Sequence, residues 1–176
     1  MAGTFLFTLK LLCSVFGSLL LLRAYLRYLG IPGNDPLVSF AHSLTQWAVE
    51  PASKFIKRTR NIEWPSIFVC YLVAVIYQFF HWLMGSGHGG VWPFVFGSAV
   101  LVVYWAIELA MWATVLFCIF SWVNQASANY RTLSYLCYPI LAPFKKVIPV
   151  WRNIDFSGVV FIILANIVLA LITPLT

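Results

Sequence analysis

Three kinds of residue in this sequence could do chemistry, and each stands out against an apolar background. The first is an acid. Glu108 sits in the middle of the run VLVVYWAIELAMWATVL. A carboxylate at membrane depth costs at least ~2.5 kcal/mol on insertion scales and faces a protein interior or water rather than lipid. Two roles fit it. One is an ion or proton site. The other is a protonated acid hydrogen-bonded to Gln78 or Asn166, which fall at a similar depth in their own apolar runs, gluing helices together. Lys10 lies a turn or two inside the first run and snorkels to the outer interface rather than reaching the deeper Glu108. Nearby, Ser14, Gly17 and Ser18 permit close helix approach.

The second kind is the group of three histidines. Two axial haem ligands must meet at one depth. His42 lies on the opposite side from His81 and His88, which leaves a site only at the membrane edge. The turn GSGHGG, Gly85 to Gly90, offers Ser86 beside His88, but no acid orients the histidine and no phosphate-loop lysine follows. It reads as a flexible turn. Cys13, Cys70, Cys118 and Cys137 show no CxxC spacing, and three of them lie in apolar runs. They read as small core or lipid-facing residues. No cofactor, metal site or catalytic set is expected, and the chain is not read as an enzyme.

The third kind is basic. Lys57-Arg58 and Lys145-Lys146 each stand near prolines: PASKFIKRTR runs from Pro51 to Arg60, and PILAPFKKVIP from Pro139 to Pro149. What positions them follows from composition. Of 176 residues, 62% are hydrophobic and 9% charged, against roughly 25% charged in a soluble domain. Mean hydropathy is +0.90. This is a membrane protein of one domain. A bilayer core needs roughly 17–25 apolar residues per helix, and four runs qualify: Phe5 to Leu22 with a continuation toward Leu29, Ile67 to Met84, Trp92 to Val123, and Ser157 to Ile172. The third is too long for one perpendicular span. The first has no basic leader and no small-x-small cleavage site, so it reads as a span rather than a signal peptide.

Of the eleven lysines and arginines, six fall between runs one and two: Arg23, Arg27, Lys54, Lys57, Arg58 and Arg60. Four fall between runs three and four: Arg131, Lys145, Lys146 and Arg152. Basic loops stay in the cytoplasm. Both long connectors are therefore expected inside, with both termini and the glycine-rich turn outside. The net charge of +6 is explained by this placement, and nucleic acid is not an expected partner.

Each connector carries a helical stripe. In the first it is Leu37, Phe40, Ala41, Leu44, Trp47, Ala48, Ala52, Phe55 and Ile56. In the second it is Leu133, Leu136, Cys137, Ile140, Leu141, Phe144, Val147 and Ile148, with Lys145 and Lys146 off it. This pattern belongs to an amphipathic helix at a membrane surface. Pro51 and Pro139 are expected to kink or break these helices, and with Pro143 the second connector is expected to be a short helix followed by an extended stretch.

The connectors are two copies of one design. Pro51 pairs with Pro139, Lys57 with Lys145 and Arg58 with Lys146. After a four-residue insertion, Asn61-Ile62-Glu63-Trp64 pairs with Asn153-Ile154-Asp155-Phe156, and an apolar run follows each. The expected fold is an all-α membrane protein: four transmembrane helices in two tandem span–amphipathic connector–span repeats, residues 1–84 and 91–176 of a single domain 1–176. Because two spans make one unit, the copies point the same way through the membrane, related by an axis along its normal.

The repeated proline, basic pair and Ile-acid-aromatic pattern before a span resembles the YggT family, also called YlmG-like. The fullest match is YPILAPFKKVIPVWRNIDFSGVV, Tyr138 to Val160. The first copy departs from it: Ala52 and Ser53 stand where the second has Ile140 and Leu141, and nothing matches Pro149. In the second copy Gly158 stands where the family often has proline. The resemblance implies an integral membrane protein without established enzymatic activity, placed in the bacterial inner membrane. It also implies links to cytochrome complex assembly in plastid relatives and, in bacterial relatives, to division, envelope organisation and osmotic or potassium-related behaviour.

Two functional readings remain open at this level. In one, the connectors bind anionic inner-leaflet lipid through Lys54, Lys57, Arg58, Arg60, Lys145, Lys146 and Arg152, each worth about 1 kcal/mol near the surface, and dock a membrane-protein partner or a second copy, making the protein a scaffold or assembly factor. In the other, an oligomer forms a small channel or transporter around Glu108.

Overall fold

A computed structural model of the chain describes residues 2–56, 62–85, 91–123, 127–147 and 157–175. Six helices follow in order: α1 (Ala2–Tyr28), α2 (Pro36–Phe55), α3 (Trp64–Gly85), α4 (Val91–Val123), α5 (Ala128–Val147) and α6 (Ser157–Ile172), the last closed by a 3-10 turn, Thr173–Leu175. Among the described residues there is no strand. Lys57, Arg58, Arg60, Asn61, Pro149, Arg152, Asn153 and Asp155, with His88 of the glycine-rich turn, lie outside the described residues.

Local chemistry sets the helix ends. α1 stops where Gly30 takes φ +69°, a left-handed conformation cheap only for glycine. The Gly30 amide then bonds the Arg27 carbonyl at 3.0 Å and the Ile31 amide bonds that of Leu26 at 3.2 Å. This pair of bonds satisfies carbonyls that a helix end would leave bare, and Ile31 packs on the core around Leu26. α2 starts at Asp35, whose Oδ1 accepts the Leu37 amide at 2.9 Å, with Pro36 pre-set as the first helical residue.

α1, α3 and α4 are long and apolar enough to cross a membrane; α6 is shorter, at 16 residues. The 33 residues of α4 rise about 50 Å, well beyond the roughly 30 Å of a hydrocarbon core. At its end Trp122 and Val123 are 83% and 76% exposed. Large apolar side chains cover the outside of the bundle: Phe7, Leu12, Ile76, Ile163 and Leu171 are all exposed, a surface suited to lipid and not to water.

Contacts give the helix directions. Phe5 meets Phe80 at one end of α1 and Arg23 meets Glu63 at the other, so α1 and α3 are antiparallel. Trp82 meets Phe94 across the α3–α4 turn. Gly158 packs on Thr114 and Cys118, and Asn166 on Met111, so α4 and α6 are antiparallel. Lys10 stands over Tyr104 and Ser14 bonds Glu108, so α1 and α4 run parallel. Gly17 makes that last pairing close: a methyl group there would sit 2.3 Å from a ring carbon of the buried Trp105.

The connectors differ from expectation in three ways. Both are continuous helices through their prolines; α5 reaches Val147 and is not a short helix with an extended tail. Pro51, Pro139 and Pro143 all lie on exposed faces, where the carbonyls they strip of partners can be satisfied by solvent and the packed face stays regular. Second, part of the α5 stripe is buried in protein: Leu133, Leu136, Cys137 and Leu141 are buried, with α4 the main neighbour, while Ile140 and Phe144 are half-buried. Third, the α2 stripe splits. Of its members Ala41 is buried against the bundle, beside Thr45 and Val49 from outside the stripe, while Phe40, Leu44 and Trp47 form an adjacent exposed ridge. His42, Gln46 and Glu50 occupy the third face. A helix with packed, greasy and polar faces suits the boundary between bundle, lipid and water.

Candidate functional site at the connector end of the bundle

The densest polar chemistry lies where the connectors meet the spans. Glu63, read in the sequence as a motif residue, stands just before α3, and its carbonyl takes the Ser66 and Ile67 amides at 3.1 and 3.4 Å. Its side chain turns into the bundle and is fully buried. There Arg23 grips it from α1 with both arms: Nε donates to Oε2 at 3.1 Å and Nη2 to Oε1 at 3.0 Å. The remaining guanidinium arm, Nη1, donates to Thr45 Oγ1 of α2 at 3.1 Å. The Thr45 hydroxyl in turn donates a hydrogen bond to the Ala41 carbonyl at 2.6 Å. Arg27 adds a second guanidinium 4.0 Å from Glu63.

Bidentate geometry is what guanidinium and carboxylate do best, and here it fixes three helices at one point. A buried pair of this kind contributes little net stability, because desolvation offsets the Coulomb gain, but breaking it is expensive. Its structural value is register: α1, α2 and α3 each supply one partner.

A second polar link joins the two connectors. Asp35 Oδ2 accepts from Thr132 Oγ1 of α5 while Oδ1 caps α2. Tyr25 of α1 donates to the Leu136 carbonyl of α5 at 3.0 Å. Below them Cys137 is buried, and burial pushes its thiol up to about 12, with the Thr114 hydrogen bond opposing the shift.

The basic residues proposed from sequence are placed as follows. Lys54 is exposed in the last turn of α2, and Lys145 and Lys146 are exposed in the last turn of α5. Each favours the negative end of its helix. The exposed face of α5 also carries Tyr135 and Tyr138, 64% and 66% exposed.

Deeper in the bundle, Glu108 accepts from Ser14 Oγ at 2.9 Å, a partner the sequence reading had treated only as a packing residue. Asn166 gives its amide to the Ile162 carbonyl at 2.9 Å and to Met111 sulfur at 3.3 Å. Gln78 lies against Gly97, where a methyl group would come within 2.9 Å of its Nε2. Lys10 Nζ stands 5.9 Å from the Tyr104 ring centroid, a cation–π distance.

Sequence reasoning missed Arg23, Thr45, Asp35 and Thr132 as a constellation. The available signal was an arginine inside a helical apolar run and an acid opening the next one.

The family model described as CCB3/YggT matches residues 2–84 and 96–176. The chain belongs to the CCB3/YggT family. Among its relatives are the uncharacterized protein YggT of Escherichia coli K12, 23% identical over 94% of this chain and 87% of that one. A protein of Vibrio alginolyticus, named for the proC 3' region, is 24% identical over 89% of this chain and 86% of its own length. An uncharacterized protein of Pseudomonas aeruginosa is 25% identical over 88% and 80%. No solved structure matches the chain. This member carries membrane-like apolar helices, and nothing in its relatives' names indicates an enzyme.

Proposed function

We propose that this protein is a multi-pass protein of the bacterial inner membrane that works without catalysis, as a scaffold or assembly factor. Four spans, α1, α3, α4 and α6, cross in two tandem copies, and α2 and α5 lie at the cytoplasmic surface. The two stretches matched by the family model coincide with the two copies, and the alternating helix directions support the crossing order. The observation that carries the reading is the rigid seating of both connectors. α2 is pinned by Arg23–Glu63–Thr45 and α5 by Tyr25–Leu136, and the two are joined through Asp35–Thr132. A rigid surface displaying Lys54, Lys145, Lys146, Tyr135 and Tyr138 suits docking to anionic headgroups and to a partner protein or second copy.

The test is purification from native membranes in mild detergent, with partners identified by mass spectrometry. The wild-type chain is compared with one carrying glutamine at Lys57, Arg58, Lys145 and Lys146. A stoichiometric partner that disappears in the variant is the expected result. No partner at all would sink the scaffold reading.

A second reading, a small ion channel or transporter, is favoured by Glu108 at the junction of α1 and α4, the leading helices of the two copies. Ion flux into proteoliposomes that vanishes in Glu108→Gln would support it; equal flux in both would remove Glu108 from any transport role.

A further inference from the structure

On one flank, α1, α3, α4 and α5 enclose a cavity of about 430 Å³, within the range of ligand sites. Ala24, Ala106 and Ala110 line it together with Leu21, Ile67 and Leu136. A second cavity of about 380 Å³ shares Ala106, Ala110 and Ile140 with the first and continues between α4 and α6. The two make one apolar trough across α4. Its lining offers almost nothing for water to bond, so water gains nothing there. Small alanines on the helix backbones create the depth.

One end of the trough is different. Ile62 and Tyr28 line it there, and Ile62 leads directly into Glu63. Arg23, Arg27 and Glu63 together carry one surplus positive charge. Arg23 has committed its donors to Glu63 and Thr45 and is buried. Arg27, at 4.0 Å from Glu63, has a side chain 37% exposed. The surplus is therefore presented by Arg27. Tyr28, 63% exposed, supplies an amphipathic ring of the sort enriched at headgroup level.

We propose that this trough holds one anionic phospholipid from the leaflet on the connector side. An acyl chain lies along Ala24, Ala106 and Ala110, and the phosphate sits at Arg27. This goes beyond the scaffold reading, because neither connector's lysines take part and the lipid lies in the trough across α4, with α5 supplying part of its lining.

The test uses the full chain in mild detergent, titrated with phosphatidylglycerol or phosphatidylcholine of matched acyl length and read by native mass spectrometry. Wild type is expected to retain one phosphatidylglycerol, about fivefold more tightly than phosphatidylcholine, the preference of one basic residue for an anionic headgroup. Arg27→Gln should erase the preference and leave phosphatidylcholine binding unchanged. Ala106→Trp should fill the trough and abolish both lipids. Ala110→Leu should weaken both and stands in if the larger change disturbs folding. Leu171→Trp, on the outward face of α6, should change nothing. The proposal is overturned if both alanine variants keep wild-type lipid binding or if Arg27→Gln keeps the preference. It is equally overturned if Ala106→Trp converts a dimer to a monomer with lipid binding intact, which would make the occupant a second copy.

Discussion

Arg23 is the side chain whose loss this molecule would feel most. Arg23→Met leaves the fully buried Glu63 carboxylate with only Arg27, at 4.0 Å, as a charged partner, and breaking a buried pair costs roughly 3–5 kcal/mol. The double change Arg23→Met with Glu63→Leu removes both charges and is expected to recover most of that loss. Unfolding in detergent at increasing denaturant measures both; a single variant as stable as wild type would remove the pair from the core's essentials. Cys137 allows a second residue-scale prediction. Its thiol is pushed from an ordinary 9.0 up to about 12 by burial, so the native chain keeps it neutral at pH 8, and maleimide should label it only after unfolding. The sign for stability follows: the contribution is full below pH 9, where the unfolded thiol is also neutral, and is lost as pH rises from 9 toward 12. Rapid labelling of native Cys137 at pH 8 would contradict the burial. Of these residues the sequence displayed only the types. It showed Arg23 as one more basic charge near a span end and Glu63 as a motif letter, because two residues forty apart meet only once α3 has folded back along α1.

At the scale of elements, helices were the most legible part. Apolar run lengths anticipated α1, α3, α4 and α6 to within a few residues, because a continuous apolar run of this length satisfies its own backbone in lipid only as a helix. The connectors were legible in period but not in partner. The stripes at Leu133, Leu136, Cys137 and Leu141 read as greasy and were assigned to lipid, whereas they pack on protein; periodicity reports that a face is apolar, not what covers it. The prolines do not break the helices, because tertiary packing places them on exposed faces, which the sequence does not display. Two predictions belong here. Asp35→Ala removes both the α2 cap and the tie to Thr132, and is expected to cost about 1 kcal/mol for the cap. A double-mutant cycle with Thr132→Val should show the two side chains coupled; strict additivity would mean that the connectors are not linked through this bond. Gly17→Ala pushes a methyl group into the buried Trp105 ring and should destabilise by roughly 1–3 kcal/mol. Trp105→Leu in the same chain should relieve most of that strain.

At the scale of the whole molecule, the expected paired crossing gives a direct prediction. If α6 crosses together with α1, α3 and α4, reporters fused before Met1 and after Thr176 sit on the same side of the membrane, and the charge distribution assigns that side to the outside. Opposite sides for the two reporters would mean three crossings, with α6, at 16 residues, lying otherwise. The two-copy plan is an expectation drawn from the paired prolines and acids. How the first of those acids is held was not legible until Arg23 was placed. The first copy's acid is gripped by an arginine from its own leading helix, while α4, the leading helix of the second, contains no lysine or arginine at all.

Both connector helices sit at one end of the bundle, with only the five-residue stretch 86–90 joining α3 to α4 at the other. If the spans cross as proposed, both connectors belong to one leaflet, and the exposed ridge of Phe40, Leu44 and Trp47 meets the lipid of that leaflet alone.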